Sequence, residues 1–228
     1  MSKLFGMKEE MKEQREKLNG QPFSAKLSYF WYYYKVHCFV AIAVIIMLVM
    51  GISDIIENSK PTALCGFFLN AGLTQDAGIS LADDFASYAG IDSDKTPLNL
   101  DTSLTVNYDT LDQLSIAIAQ KIIATAQSEE LDFIVGDFDV VDYYAANGFT
   151  TDLSEILPAD LFEQLSDSFY YTTLENGTSV PIAISLKNCE KLTHLGFYPD
   201  ETGYLFIVNN SKRMDTTVAF LEYLFHKQ

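Results

Sequence analysis

The chain has 228 residues, a formal charge of −16 from 31 Asp/Glu against 15 Lys/Arg, and three cysteines. So acidic a balance argues against nucleic acid as a partner, because two polyanions repel. Cys38, Cys65 and Cys189 are too few and too far apart for a zinc or dithiol redox motif.

The charge is unevenly spread. Residues 1–35 hold seven Lys/Arg and four Glu, a balance of +3, whereas residues 36–228 hold eight Lys/Arg and twenty-seven Asp/Glu, a balance of −19. The boundary is Val36–Ile56, VHCFVAIAVIIMLVMGISDII, apolar without a break from Phe39 to Met50. As a helix rising 1.5 Å per residue it is roughly 30 Å long, the thickness of a bilayer's hydrocarbon core. The expected organisation is a cytoplasmic basic tail (1–35), one transmembrane helix (36–56), a linker (57–61) and an extracytoplasmic domain (62–228) long enough for one core. The Lys/Arg bias places the N-terminus in the cytoplasm and the rest outside. A 35-residue lead is long for a signal peptide, and no small-x-small site follows the apolar run, so the span is expected to be retained in the cell membrane.

Within the tail, residues 4–18 read as a charged helix with a Glu13/Lys17 pair, stopped by the NGQP of 19–22. Six aromatics follow at 29–34. Tyr29, Trp31, Tyr32, Tyr33 and Tyr34 suit the headgroup level, where Lys35 can snorkel, so membrane lipid is an expected partner.

Residues 62–69 (TALCGFFL) read as a buried strand. Asn70 and Gly72 turn the chain. Thr74 can cap a helix that runs to Ala89 with Ile79, Ala82, Phe85 and Ala86 inward, ended by Gly90. Residues 92–102 read as a polar loop and 104–108 as a second strand. A helix opening at Asp109 or Thr110 would bury Leu114, Ile118, Ile122 and Ile123. Residues 131–135 form a third strand and 140–147 a short helix. The alternation argues for a small, mostly parallel three-layer α/β domain with right-handed crossovers. A short helix ending near Ser166, a hairpin of 169–174 and 179–186 around Glu175–Gly177, a strand over 203–209, and a helix from Ser211 or Asp215 with Val218, Leu221, Leu224 and Phe225 inward complete the chain.

Several passages together carry a resemblance: DFIVGDFD (132–139), Tyr143 and Tyr144, NGF (147–149), Asp152 and Leu153, Ile156 and Leu157, NGTSVPIAI (176–184), FIVNNSK (206–212) and VAFLEYL (218–224). The stretch from Thr62 to Phe225 resembles one lobe of the extracellular solute-binding proteins of ATP-binding-cassette importers, the type 2 periplasmic-binding-protein-like proteins. That resemblance implies a second lobe of ~100 residues or more between the hinge strand and the closing strand. Only residues 187–202 stand there, so the chain looks like a single, membrane-tethered lobe.

No G-x-G-x-x-G, Walker loop, H-E-x-x-H or G-x-S-x-G occurs, and no catalytic residue, cofactor or metal site is assigned. DSDKTP (92–97) lacks the glycine and the bidentate Glu of a calcium loop and reads as a solvated acidic turn. Cys65 and Cys189 either pair or stay buried as free thiols. Asn70, Gly72, Asp137 and Asp139 follow strand C-termini, where open α/β sheets bind ligands. With Tyr143 they are the candidate ligand-binding residues. The plainer alternative makes Asp139 the cap of the next helix and Asp137 a turn residue. The expected role is non-enzymatic: recognition of a membrane or extracytoplasmic protein partner, or service as an accessory to a transport complex. The alternative is a tethered receptor for a cationic or sugar-like solute.

Overall fold

The computed structural model describes residues 22–58, 60–108, 110, 112–174, 177–198 and 202–226. The expected tail helix over residues 4–18, the helix opening at Asp109 and the hairpin residue Glu175 lie outside them. The chain divides into two units, residues 1–59 and 60–228.

The first unit contains α1 (Phe23–Asn58), a single helix of 36 residues that covers the whole apolar run. Its large apolar side chains from Phe39 to Met50 face outward all round, from Val44 at 48% exposed to Met47 at 71%. Among the described residues no helix is long and apolar enough to cross a membrane. The span expected over Val36–Ile56 therefore rests on the sequence.

The second unit is built on one six-stranded sheet. In chain order the elements are β1 (Leu64–Leu69), α2 (Gln75–Ala89), β2 (Leu98–Leu104), α3 (Gln113–Gln127), β3 (Phe133–Gly136), α4 (Phe138–Ala146), α5 (Leu153–Ile156), α6 (Ala159–Leu165), β4 (Phe169–Thr173), β5 (Ser179–Ser185), α7 (Glu190–His194), β6 (Tyr204–Ile207) and α8 (Met214–Phe225). The spatial order is β2-β1-β3-β6-β5-β4. β1 lies parallel to β2 and β3, while the β3–β6, β6–β5 and β5–β4 pairings are antiparallel. The sheet is thus mixed, which corrects the mostly parallel expectation. The parallel part is β2-β1-β3, and β6 returns against it.

The architecture has three layers. Leu64, Phe68, Phe133, Val135, Leu205 and Ile207 pack on one face against α2, α5, α6 and α8. Cys65, Phe67, Leu69, Ile134 and Phe206 pack on the other against α3 and α4. This alternation along β1, β3 and β6 is the period of two that puts neighbouring side chains on opposite faces. Cys65 and Cys189 are buried and free, and they belong to opposite faces, so they do not pair. Burial, with the Asp132 charge adding to it, pushes the Cys65 thiol up to about 12.

Four other expectations are corrected. The second strand is Leu98–Leu104, not 104–108: Leu100, Thr102 and Leu104 point inward between polar residues, so residues 98–102 of the expected loop are strand. Ile79 is exposed on α2, where Gly78, Leu81, Ala82, Phe85 and Ala86 form the buried stripe. Leu114 and Ile123 likewise face solvent on α3. The cap of α4 is Asp137, whose carboxylate accepts from the Val140 N–H, and Asp139 sits in the first turn. The helix over 74–90 ends as read, with Gly90 in the left-handed region at φ 67°.

At the N-terminal end of β3, Asp132 is fully buried. Its carboxylate accepts from the Cys65 N–H (2.7 Å), the Ser211 hydroxyl (2.6 Å) and the Arg213 Nε (2.8 Å), and Arg213 also donates to the Glu130 carbonyl (2.6 Å). This ties β1, β3 and the entry to α8 together at one end of the sheet.

Candidate functional site

The other end of the sheet is where the chain diverges. From β1 it crosses through α2 to β2 on one side, then through α3 over the opposite face to β3 on the other side. The C-terminal ends of β1 and β3 therefore border a topological switch point, the place where open α/β sheets leave a crevice.

Asn70 stands at the end of β1 with φ 58°, a left-handed conformation that Asn tolerates better than most residues. Its N–H donates to the Leu104 carbonyl (2.9 Å). Its side-chain oxygen accepts from the Val106 N–H (2.8 Å), and its Nδ2 donates to Asp137 Oδ2 (3.0 Å). The other Asp137 oxygen accepts from the Val140 N–H (3.0 Å), closing the first turn of α4. One asparagine thus fastens the ends of β1, β2 and β3. Gly72, at φ 69°, turns the chain beneath it.

These residues line an open concavity of about 510 Å³, in which Asn70, Gly72, Asp137 and Asp139 meet Asn107 and Tyr108. Four of the five candidate ligand residues are thereby brought together. The fifth, Tyr143, stands beside the concavity and stacks on Tyr108, with ring centroids 4.5 Å apart and 29° between planes. The Tyr108 hydroxyl donates to that of Tyr144 (3.2 Å). Burial, helped by the neighbouring tyrosines and by the Asp137 charge, holds the Tyr108 phenol far above its ordinary range. Tyr198 lies under the same loop: its hydroxyl donates to the Leu69 carbonyl (2.6 Å), and burial raises its ionisation well above the usual value.

Tyr108 and Tyr198 escaped the sequence reading. Tyr108 sat in a segment read as strand, and nothing local marks Tyr198, which reaches the site from residues 187–202 by tertiary contact alone. Of the interfacial aromatics, Trp31 and Tyr32 are exposed on α1, as is Lys35. The side chains of Tyr29, Tyr33 and Tyr34 lie outside the described residues. The turn at Asp92 satisfies itself, with Lys95 Nζ 2.6 Å from its carboxylate. Among the described residues no three His, Cys, Asp or Glu side chains are grouped to hold a metal ion.

Chemically the concavity offers carboxylates and a tyrosine face, with no Lys or Arg among the described residues of its lining. That suits an uncharged or cationic group and disfavours a carboxylate or phosphate. Comparison with protein-family models, curated proteins and solved structures finds no match to this chain.

Proposed function

We propose that the chain is a non-enzymatic, single-pass membrane protein that presents residues 62–228 outside the cell as a solute-binding-like recognition lobe, for a protein partner or as an accessory to a membrane transport complex. The observation that carries this reading is the convergence of Asn70, Gly72, Asp137 and Asp139 on one open concavity at the switch point. The connection over residues 187–202 is short where the resemblance implies a second lobe. The span is supported by the apolar run of Val36–Ile56 in the sequence. A helix apolar all round needs an apolar surrounding, and lipid supplies one. The basic tail supports an N-terminus in the cytoplasm.

The test is site-specific photo-crosslinking of the full chain in its native membrane. A crosslinker at Asp139 or Tyr143 should repeatedly capture one membrane or extracytoplasmic protein, and one at Glu130, at the other end of β3, should not. Recovery of nothing, or equal recovery from Glu130, would sink the proposal.

A second reading, a tethered receptor for a small cationic or sugar-like solute, is favoured by one observation, the Tyr108–Tyr143 stack beside two carboxylates. A thermal-shift panel of amines and sugars separates the two, since ligand at a hundred times its Kd adds about 2.7 kcal/mol of apparent stability.

A further inference from the structure

The two edges of the sheet are finished differently. Beyond β2, the Gln75 side chain takes the place of a neighbouring strand: its amide donates to the Leu100 carbonyl (2.9 Å) and its oxygen accepts from the Thr102 N–H (3.3 Å). The Asp101–Lys121 ion pair, at 2.7 Å, adds charge beside that edge. These are devices that stop a further strand from adding.

β4, at the other edge, has none of them. Its sequence, FYYTT, contains no charge and no proline, and it is rich in the aromatic and β-branched residues that suit strands. Among the described residues it pairs only with β5, so its remaining N–H and C=O groups point away from the sheet. Among the described residues no side chain bonds to its backbone. Tyr171 and Leu174, beside this edge, are nearly half exposed. The register irregularity at Tyr170/Tyr171 falls opposite Pro181, which has no N–H to give, so the regular part available to a newcomer is short.

Charge says what would sit there. Between Lys121 and Lys187 there is no Lys, Arg or His, against twelve Asp/Glu. Ring contacts of Phe138 with Tyr170 (5.5 Å) and of Phe162 with Phe169 (4.7 Å) set α4 and α6 against β4. On the α6 side stand exposed carboxylates, those of Asp160 and Glu163, with Asp167 just before the strand. An uncharged edge flanked by carboxylates is complementary to an extended segment carrying alternate basic and apolar residues. A second copy of this chain would bring the same carboxylates against each other.

We infer that the free edge of β4 is a docking site for a short, extended, basic segment of a partner protein, which adds to the sheet as a seventh strand. Main-chain hydrogen bonds hold it, and because side chains alternate between the faces of a sheet, its basic residues lie on the α6 side, past Tyr171 toward Asp160, Glu163 and Asp167, and its apolar residues on the α4 side. This surface is separate from the switch-point concavity and does not depend on what that concavity binds.

The experiment uses the full chain in detergent solution and the heptapeptide Lys-Val-Lys-Val-Lys-Val-Lys. Binding is read by fluorescence anisotropy and located by amide hydrogen exchange. The expected result is saturable, salt-weakened binding that slows exchange at Phe169–Thr173. Methylating the valine nitrogens, which removes the N–H groups from one edge of the peptide, should weaken it at least tenfold, as should replacing its lysines with glutamates. Tyr171→Lys, at an exposed side chain, should weaken it similarly while the unfolding midpoint stays unchanged. If the methylated peptide binds as tightly, or if protection falls outside β4, the attraction is charge alone and the inference fails. A dimer formed through β4 in the absence of peptide overturns it too, because a second copy then holds the edge.

Discussion

Replacing Asn70 with Ala tests whether the switch point is held together as described. The substitution removes the donor to the Asp137 carboxylate and the acceptor for the Val106 N–H, both partly buried. A hydrogen bond to a charged group contributes about 1.5–3 kcal/mol and a neutral one about 1 kcal/mol. Alanine at φ 58° adds about 1–2 kcal/mol of left-handed strain. The expected loss is therefore about 4 kcal/mol in urea unfolding of residues 60–228, the unit that holds its own core. Asn70→Gly loses the same two bonds without the strain and should be about 1 kcal/mol more stable than Asn70→Ala. Asn70→Asp sets a second carboxylate against Asp137. That pair resists double ionisation, so its folded-state proton affinity is raised, and this variant should regain stability as the pH falls through the carboxylate range. A loss below about 1 kcal/mol for Asn70→Ala, or no advantage for Gly over Ala, would show that Asn70 is an ordinary solvated turn residue.

Three further outcomes follow from the interior. Arg213→Met should cost about 3–5 kcal/mol in denaturant unfolding, because it strands the buried Asp132 carboxylate, whereas Lys212→Met, which breaks only the exposed pair with Glu129, should cost less than about 1 kcal/mol. In residues 60–228, Cys65 and Cys189 should be silent to Ellman's reagent at neutral pH and should both react once the domain unfolds, since burial raises both thiols. The raised Tyr108 phenol contributes stability that is fully present below the ordinary tyrosine value of about 10 and is lost as the pH climbs towards its folded value. Tyr108→Phe should accordingly flatten the alkaline limb of a stability profile above about pH 10.

Much of the framework can be read along the chain because local signals agree there. β1 and β3 are short apolar runs buried on both faces, and α2 lies between Thr74 and a left-handed Gly90. The hairpin of β4 and β5 flanks Gly177, at φ 83°. β2 is harder to read because it is an edge strand: Asn99, Asp101 and Ser103 alternate with its inward residues and give the segment a loop's composition. The direction of β6 is not local information either. It depends on how residues 187–202 carry the chain back across the sheet, and nothing in GYLFIVN distinguishes a parallel strand from an antiparallel one. The site divides in the same way. Asn70, Gly72, Asp137 and Asp139 are legible from their position after strands, while Tyr108 and Tyr198 join them only through tertiary contacts.

Burial and bonding at the switch point also separate two kinds of residue there. Asp137 gives one oxygen to Asn70 and the other to the Val140 N–H, and Asn70 is engaged on both sides of its amide. Neither has much capacity left for a ligand, so their role is to position the loop. Asp139 is exposed and its carboxylate makes no hydrogen bond among the described residues, and Tyr143 is 42% exposed with one face against Tyr108. If this end of the domain recognises a partner or solute, Asp139 and Tyr143 make the contact. Asp139→Asn and Tyr143→Ala should then weaken partner crosslinking or solute binding at least tenfold, about 1.4 kcal/mol. Exposed substitutions away from special features move stability by less than about 0.5 kcal/mol, and these two should stay near that range. Asn70→Ala should instead lower stability and binding together. Binding that survives both surface substitutions but falls with every destabilising one would place the contact elsewhere on the fold.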